Sequence, residues 1–113
     1  MKSPESDQLD VIKALADIYH TYVLRRYRKF RHGLERGTLR KRRVAECHRK
    51  VVGYTEELRR MVTAVERLRK LEEGARKVKR RKAAEVANRI KWQADDAKNI
   101  CELYKKEIKK GFR

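Results

Sequence analysis

The segment VAECHRKVVGYTEELRRMVTAVERL, residues 44–68, has the clearest structural pattern in the chain. Its apolar residues recur at alternating intervals of three and four, at Val44, Cys47, Val51, Tyr54, Leu58, Met61, Val65 and Leu68. An unbroken alternation of this kind over more than three heptads is typical of a coiled-coil seam. We therefore expect a long helix here that pairs with at least one other helix.

Two flanking segments show the same helical periodicity. The N-terminal one carries Leu9, Ile12, Ala16, Tyr19, Val23, Tyr27 and Phe30, and the C-terminal one carries Ala83, Val86, Ala87, Ile90, Ala94, Ala97, Cys101, Tyr104 and Ile108. Three periodic segments joined by glycine-containing connections predict an all-α, antiparallel three-helix bundle with a long coiled-coil hairpin. The helices are expected at about 4–32, 39–73 and 75–110, in a single helical domain covering 1–113.

The connections are predicted from their turn residues. Gly33 is expected to end helix 1 in the left-handed conformation, and Thr38 to cap helix 2. A hairpin turn at Gly74 would place Cys47 opposite Cys101. A shift of one heptad would match the apolar stripes equally well, so this register depends on the glycine. The alternative is one continuous helix through Gly74, since a single glycine costs a helix only about 1 kcal/mol.

The charge of the chain is extreme for its length. Its 113 residues include 33 Lys and Arg against 16 Asp and Glu, a net charge of +17 with a pI near 10.3. Such a field attracts polyanions, so nucleic acid is the first expected partner, followed by an anionic membrane surface and an acidic protein. The longest run without a formal charge, Ile18 to Leu24, is too short to span a membrane, and the N-terminus lacks the apolar core of a signal peptide. We expect a soluble protein, in the cytoplasm or within a nucleoprotein particle.

The cations are concentrated in RRYRKFRHGLERGTLRKRR, residues 25–43, which holds ten cations and one acid. In an up-down-up bundle this segment meets the C-terminal residues 105–113, which hold five cations and one acid. Together they carry a net +13 of the total +17. We call this end of the bundle the basic pole. Its candidate nucleic-acid-binding residues are Arg25, Arg26, Arg28, Lys29, Arg31, Arg40, Lys41, Arg42, Arg43, Lys105, Lys106, Lys109 and Lys110.

The start of helix 2 strengthens this interpretation over a merely solvated basic face. Four consecutive cations, residues 40–43, lie at the N-terminus of helix 2, where the helix dipole is already positive. Cations are usually disfavoured at this end of a helix, at a cost of about 0.3–1 kcal/mol per charge. Free N–H groups surrounded by cations suit a phosphate. The start of helix 3 repeats the arrangement as a secondary basic patch of Arg76, Lys77, Lys79, Arg80, Arg81 and Lys82.

The aromatic residues have both a core and a binding interpretation. Tyr27 and Phe30 interleave with arginines, as on surfaces that stack bases, but they also continue the core stripe of helix 1, which we favour. Trp92 lies off the helix 3 seam, where packing against helix 1 is favoured over a partner contact or a stacking platform. Gly53, inside helix 2, is expected to allow the close approach of another backbone.

No catalytic or metal-binding constellation is present, so we expect no enzymatic activity and no cofactor. Cys47 and His48 are adjacent and diverge by about 100° on a helix, so they cannot form a nucleophile–base pair. Asp95 and Asp96 diverge in the same way and are expected to be solvated. The histidines have no ligand spacing with the cysteines. Packed free thiols are expected for Cys47 and Cys101, with a disulfide between them as the alternative.

The sequence therefore favours a non-enzymatic helical protein that binds DNA or RNA through backbone phosphates, mainly without sequence preference. Many copies lining a nucleic acid would fit this, as a structural component of a nucleoprotein assembly or virion that also contacts itself or other subunits. The alternative is a coiled-coil interaction module whose basic pole docks an acidic protein.

Overall fold

A computed structural model describes the backbone of residues 4–71 and 77–111, and the side chains of residues 8–68 and 81–111. Within these ranges the chain forms three helices and no strand. They are α1 (Pro4–Arg36), α2 (Lys41–Leu71) and α3 (Lys77–Lys110). Each helix packs on both of the others, which confirms the predicted all-α three-helix bundle.

The bundle's length settles the choice between a hairpin and one continuous helix. A helix running unbroken from α2 into α3 would be about 105 Å long at 1.5 Å per residue. The longest dimension of the molecule is 57 Å, so the continuous helix is wrong. Gly74 itself, the predicted turn residue, lies outside the described residues.

α1 ends one turn later than predicted, at Arg36, and the left-handed glycine is Gly37 rather than Gly33. The Thr38 N–H donates to the Gly33 carbonyl (3.1 Å), and the Gly37 N–H donates to the Leu34 carbonyl (3.3 Å). These two bonds form a Schellman motif. Gly33 is helical, and the side chain of Leu39 folds back onto it. A Cβ at Gly33 would lie 2.8 Å from the Leu39 Cγ, so this position has no room for a side chain.

The predicted Thr38 cap of α2 is also wrong. The Thr38 N–H is used to close α1, and residues 38–40 are non-helical. α2 begins at Lys41, and the Arg40 carbonyl accepts its first helical hydrogen bond from the Val44 N–H at 3.0 Å. Arg40 therefore occupies the N-cap position, where a polar side chain such as Thr, Ser or Asp is more common.

The seam of α2 divides into two classes of burial. Its central positions are at most 2% exposed: Val44, Val51, Leu58 and Val65. The alternate positions are only partly buried: Cys47, Tyr54, Met61 and Leu68. This division follows from the three-helix geometry, because one set of positions points at the bundle axis while the other packs on a single neighbour.

The register between α2 and α3 differs from the predicted one by about a heptad. The predicted register placed Cys101 opposite Cys47. Cys101 instead contacts Thr55, eight residues further along α2, with 3.4 Å between the Cys101 Sγ and the Thr55 Oγ1. Likewise, Lys91 pairs with Glu66 (Nζ to Oε1, 3.0 Å). The apolar pattern repeats every seven residues, so both registers bury it equally well, and the assumed turn at Gly74 selected the wrong one.

Polar side chains join α1 to α3 through the middle of the bundle. Asp17 accepts hydrogen bonds from the buried amide of Gln93 (2.7 Å) and from Arg89 (3.1 Å). His20, 7% exposed, lies 2.7 Å from Asp96. Asp96 was expected to be a solvated acid, and this expectation is wrong because α1 brings a histidine against it.

Candidate nucleic-acid interface

The basic pole is assembled around the ring of Tyr104, a fully buried residue near the end of α3. This ring stacks on Phe30 at 4.3 Å and lies 6.3 Å from the ring of Tyr27, both near the end of α1. It also lies 5.8 Å from the ring of His48, in the second turn of α2. The end of α1, the start of α2 and the end of α3 therefore meet at one end of the bundle.

The candidate cations are on the surface of this pole. Arg26 is half-buried, with its guanidinium 5.9 Å from the centre of the Tyr54 ring in a cation–π contact. The other twelve candidate side chains are exposed: Arg25, Arg28, Lys29, Arg31, Arg40, Lys41, Arg42, Arg43, Lys105, Lys106, Lys109 and Lys110. Twelve exposed cations on three adjoining helix ends form a surface that a single polyanion can contact.

Most of these cations have no carboxylate partner in the described part of the chain. Three of them form ion pairs within their own helices: Arg42 with Glu46 at 3.9 Å, Lys105 with Glu102 at 3.7 Å and Lys110 with Glu107 at 3.7 Å. The cations of the pole that form no ion pair among the described residues are Arg25, Arg26, Arg28, Lys29, Arg31, Arg40, Lys41, Arg43, Lys106 and Lys109. Their charge is available to an external anion.

The ion pairs that join one helix to another all lie elsewhere among the described residues. They connect Lys82 to Asp10 at 2.9 Å, Arg89 to Asp17 at 3.1 Å and Lys91 to Glu66 at 3.0 Å. These pairs occupy the middle and the opposite half of the bundle. The ion pairs between helices are thus separated from the basic pole, where the only described cation in contact with another helix is Arg26, through the ring of Tyr54.

The first turn of α2 adds backbone donors to the side-chain charge. Its residues Lys41, Arg42 and Arg43 include no acid. Their N–H groups belong to the first turn, where a helix offers donors without intrahelical acceptors. A phosphate at this position would accept backbone hydrogen bonds and be surrounded by cations.

The aromatic residues beside the arginines belong to the core. Phe30 is 4% exposed, and Tyr27 is partly buried against the core, which confirms the core interpretation of both. The Trp92 ring contacts α1 at the His20 ring, with 5.3 Å between their centres and 70° between their planes. Trp92 nevertheless remains 62% exposed, so its packing on α1 is only marginal. Gly53 faces open space, and no described part of the chain approaches it closely.

Two polar residues of the pole were not singled out by the sequence. Burial lowers the pKa of His48, and the charge of Lys105 lowers it further. Burial also raises the pKa of Tyr104. Neither the His48 Nε2 nor the Tyr104 hydroxyl has a hydrogen-bond partner within the described residues. Both side chains are therefore neutral at pH 7 and add no charge to the pole.

The secondary basic patch is described only in part. Arg76 lies outside the described residues, and so do the side chains of Lys77, Lys79 and Arg80. Arg81 is exposed, whereas Lys82 is half-buried and paired with Asp10. The part that can be described is thus partly neutralised, in contrast to the basic pole.

The cysteines do not form the alternative disulfide. Cys47 and Cys101 are both free thiols, separated by the register described above. Burial raises the pKa of the Cys101 thiol, which has Thr55 as its hydrogen-bond partner. Among the described residues, no group of three or more His, Cys, Asp and Glu side chains could hold a metal ion.

None of the helices, over the residues that the structure describes, combines the length and the apolar composition that a membrane span requires. Comparison with protein-family models, with curated proteins and with solved structures gives no match.

Proposed function

We propose that this chain is a non-enzymatic nucleic-acid-binding protein that grips backbone phosphates with its basic pole. The observation that carries the proposal is the separation of charge described above. Ten cations without an ion pair among the described residues lie on three adjoining helix ends, while the ion pairs between helices lie elsewhere. Concentrated, exposed and unpaired cations are the electrostatic footprint of a phosphate-binding surface.

Binding of this kind is mainly independent of base sequence. The aromatic side chains next to the arginines are committed to the core, so they do not stack on bases. Contacts to phosphates fix position and orientation on a nucleic acid, whereas sequence is read by contacts to base edges. A multi-copy structural role in a nucleoprotein assembly, within a particle or in the cytoplasm, follows naturally from such binding.

The direct test is the salt dependence of binding. Fluorescence anisotropy would measure the affinity for labelled duplex DNA, single-stranded DNA and RNA at about 50 and about 200 mM salt. If five phosphates are contacted on duplex DNA, log K should fall with log salt at a slope of about −4.5. No binding of any nucleic acid at the lower salt concentration would refute the proposal.

Two further ligands separate nucleic acid from other anions. Poly-glutamate represents an acidic protein, and vesicles of anionic lipid represent a membrane surface. Because the first turn of α2 offers N–H donors with surrounding cations, phosphates should bind more tightly than carboxylates at equal charge. Equal or tighter binding of poly-glutamate would favour an acidic protein partner instead.

A further inference from the structure

A group of three tyrosine rings lies between α1 and α2, within about one helical turn of the first cations of the basic pole. Tyr54 of α2 is at its centre. The centre of the Tyr19 ring lies 5.7 Å from that of Tyr54, and the centre of the Tyr22 ring lies 5.5 Å from it. Tyr19 and Tyr54 are partly buried against the core, whereas Tyr22 is 42% exposed. Tyr22 therefore contacts another ring while a large part of its own surface remains in solvent.

The face of α1 that carries Tyr22 continues into the basic pole. Arg25, Arg26 and Lys29 follow Tyr22 by three, four and seven residues, which is the spacing of one helix face. At 1.5 Å per residue these cations extend about 10 Å from Tyr22. None of the three forms an ion pair among the described residues. Because the Arg26 guanidinium also lies over the Tyr54 ring, 5.9 Å from its centre, the rings and the cations form one surface.

We propose that this surface binds an unpaired nucleotide, with the base stacked on the Tyr22 ring and the neighbouring phosphates on Arg25, Arg26 and Lys29. Proteins that hold single strands combine basic surfaces with aromatic rings, because every base has a π-face and every nucleotide has a phosphate. In a duplex the bases are already paired and stacked, and extracting one costs free energy. The surface therefore selects single-stranded DNA or RNA. This inference rests on the proposed function, since it names the form of nucleic acid that the basic pole binds.

The other aromatic side chains near the surface lack this combination of exposure and unpaired positive charge. Tyr27 and Phe30, the rings already excluded from stacking, are committed to the core. Trp92 is 62% exposed, but Asp95 and Asp96 follow it by three and four residues on the same face of α3. A nucleotide stacked on Trp92 would bring its phosphates towards carboxylates, whereas one stacked on Tyr22 meets cations. Trp92 is therefore the matched control.

Two labelled strands of equal length and charge separate stacking from phosphate binding. One is a single-stranded oligothymidine of about 12 nucleotides, and the other is the same backbone without bases. Fluorescence anisotropy should show that the full chain binds the oligothymidine at least about fivefold more tightly than the abasic strand.

Tyr22→Ala should remove this preference. Its affinity for the abasic strand and for duplex DNA, and its salt slope, should stay unchanged because no charge is lost. Tyr22→Phe keeps the ring and should keep the preference, and so should the control Trp92→Ala. Circular dichroism checks that each variant is folded.

Several results would overturn the inference. They are equal affinity of the unchanged chain for the two strands, a preference that persists in Tyr22→Ala, and a preference lost in Trp92→Ala. A matching loss of poly-glutamate binding in Tyr22→Ala would instead assign the ring to an acidic protein partner. Failure of the proposed function is distinguishable, because then neither strand would bind at about 50 mM salt. Equal binding of both strands refutes the stacking alone.

Discussion

The ring of Tyr104 stacks on the ring of Phe30, with 4.3 Å between their centres and 28° between their planes. This contact joins the end of α3 to the end of α1. Tyr104 is fully buried and Phe30 is 4% exposed, so the pair forms a core layer beneath the basic pole. The relative positions of the cations on α1 and α3 therefore depend on it.

Stability should respond in opposite ways to changes in this pair. Tyr104→Phe should leave the free energy of unfolding unchanged or raise it by up to about 1 kcal/mol, because the buried hydroxyl has no partner among the described residues. Phe30→Ala should lower it by about 3–5 kcal/mol, because it removes a buried ring. Urea unfolding measures both, and a loss above about 1 kcal/mol in Tyr104→Phe would show that the hydroxyl is hydrogen-bonded.

His48 should make the fold sensitive to mild acid. Burial and Lys105 lower its pKa in the folded chain from an ordinary value of 6.5, so below that pH the unfolded chain binds more protons. Its contribution to stability is complete above pH 6.5 and is lost as the pH falls through the lowered pKa. Melting temperatures at about pH 7.5 and pH 5 should therefore differ less in His48→Gln than in the unchanged chain.

The control for that comparison is His32→Gln, which changes an exposed histidine near the end of α1. It should retain the full loss of melting temperature on acidification. An equal reduction in both variants would contradict the assignment to His48.

The two thiols should differ in reactivity. The Cys101 thiol is 7% exposed, and burial raises its pKa, so both access and the thiolate fraction are low. Cys47 is partly exposed. Alkylation of the native protein, followed by peptide mass analysis, should modify Cys47 at least about tenfold faster, and denaturant should remove the difference. Equal alkylation rates of the two cysteines in the native protein would contradict the burial of Cys101. Resistance of both cysteines to alkylation until a reductant is added would contradict the free thiols.

Nucleic-acid binding should depend on where a cation lies and not only on how many there are. Changing Arg40, Lys41, Arg42 and Arg43 to Gln should flatten the salt slope on duplex DNA by about two to four units, because each lost phosphate contact removes about one. The matched control changes four exposed cations from the middle and opposite half of the bundle: Lys13, Arg59, Arg67 and Lys98. Both variants lose the same charge, so equal flattening would show that overall charge, and not the basic pole, governs binding.

Hydrophobic periodicity was enough to predict the three helices and most of the core. The central seam positions Val44, Val51, Leu58 and Val65 are all buried, as are Ala16 and Val23 of α1. Periodicity identifies which face of a helix is apolar, and in a bundle that face must point inward. The N-terminal start of α1 at Pro4 also agrees with the sequence, since proline is favoured in the first helical turn.

Features that depend on contacts between distant residues were mispredicted. Gly33 seemed a helix stop, but the left-handed glycine is Gly37, and Gly33 instead makes room for the side chain of Leu39. Asp96 seemed solvated, but α1 brings His20 against it. The signal that could have revealed this pair is weak, because a lone histidine within a buried stripe does not name its partner.

The helical, strongly basic and bundle-forming character of this protein could be read from its amino acids, because apolar periodicity and charge are properties of the chain. The register of α2 against α3 is defined only in the folded protein, since a heptad repeat matches itself equally well after a shift of seven residues. It also decided which cations are paired between helices and which are left unpaired at the basic pole, because side chains distant in sequence meet only once that register is set.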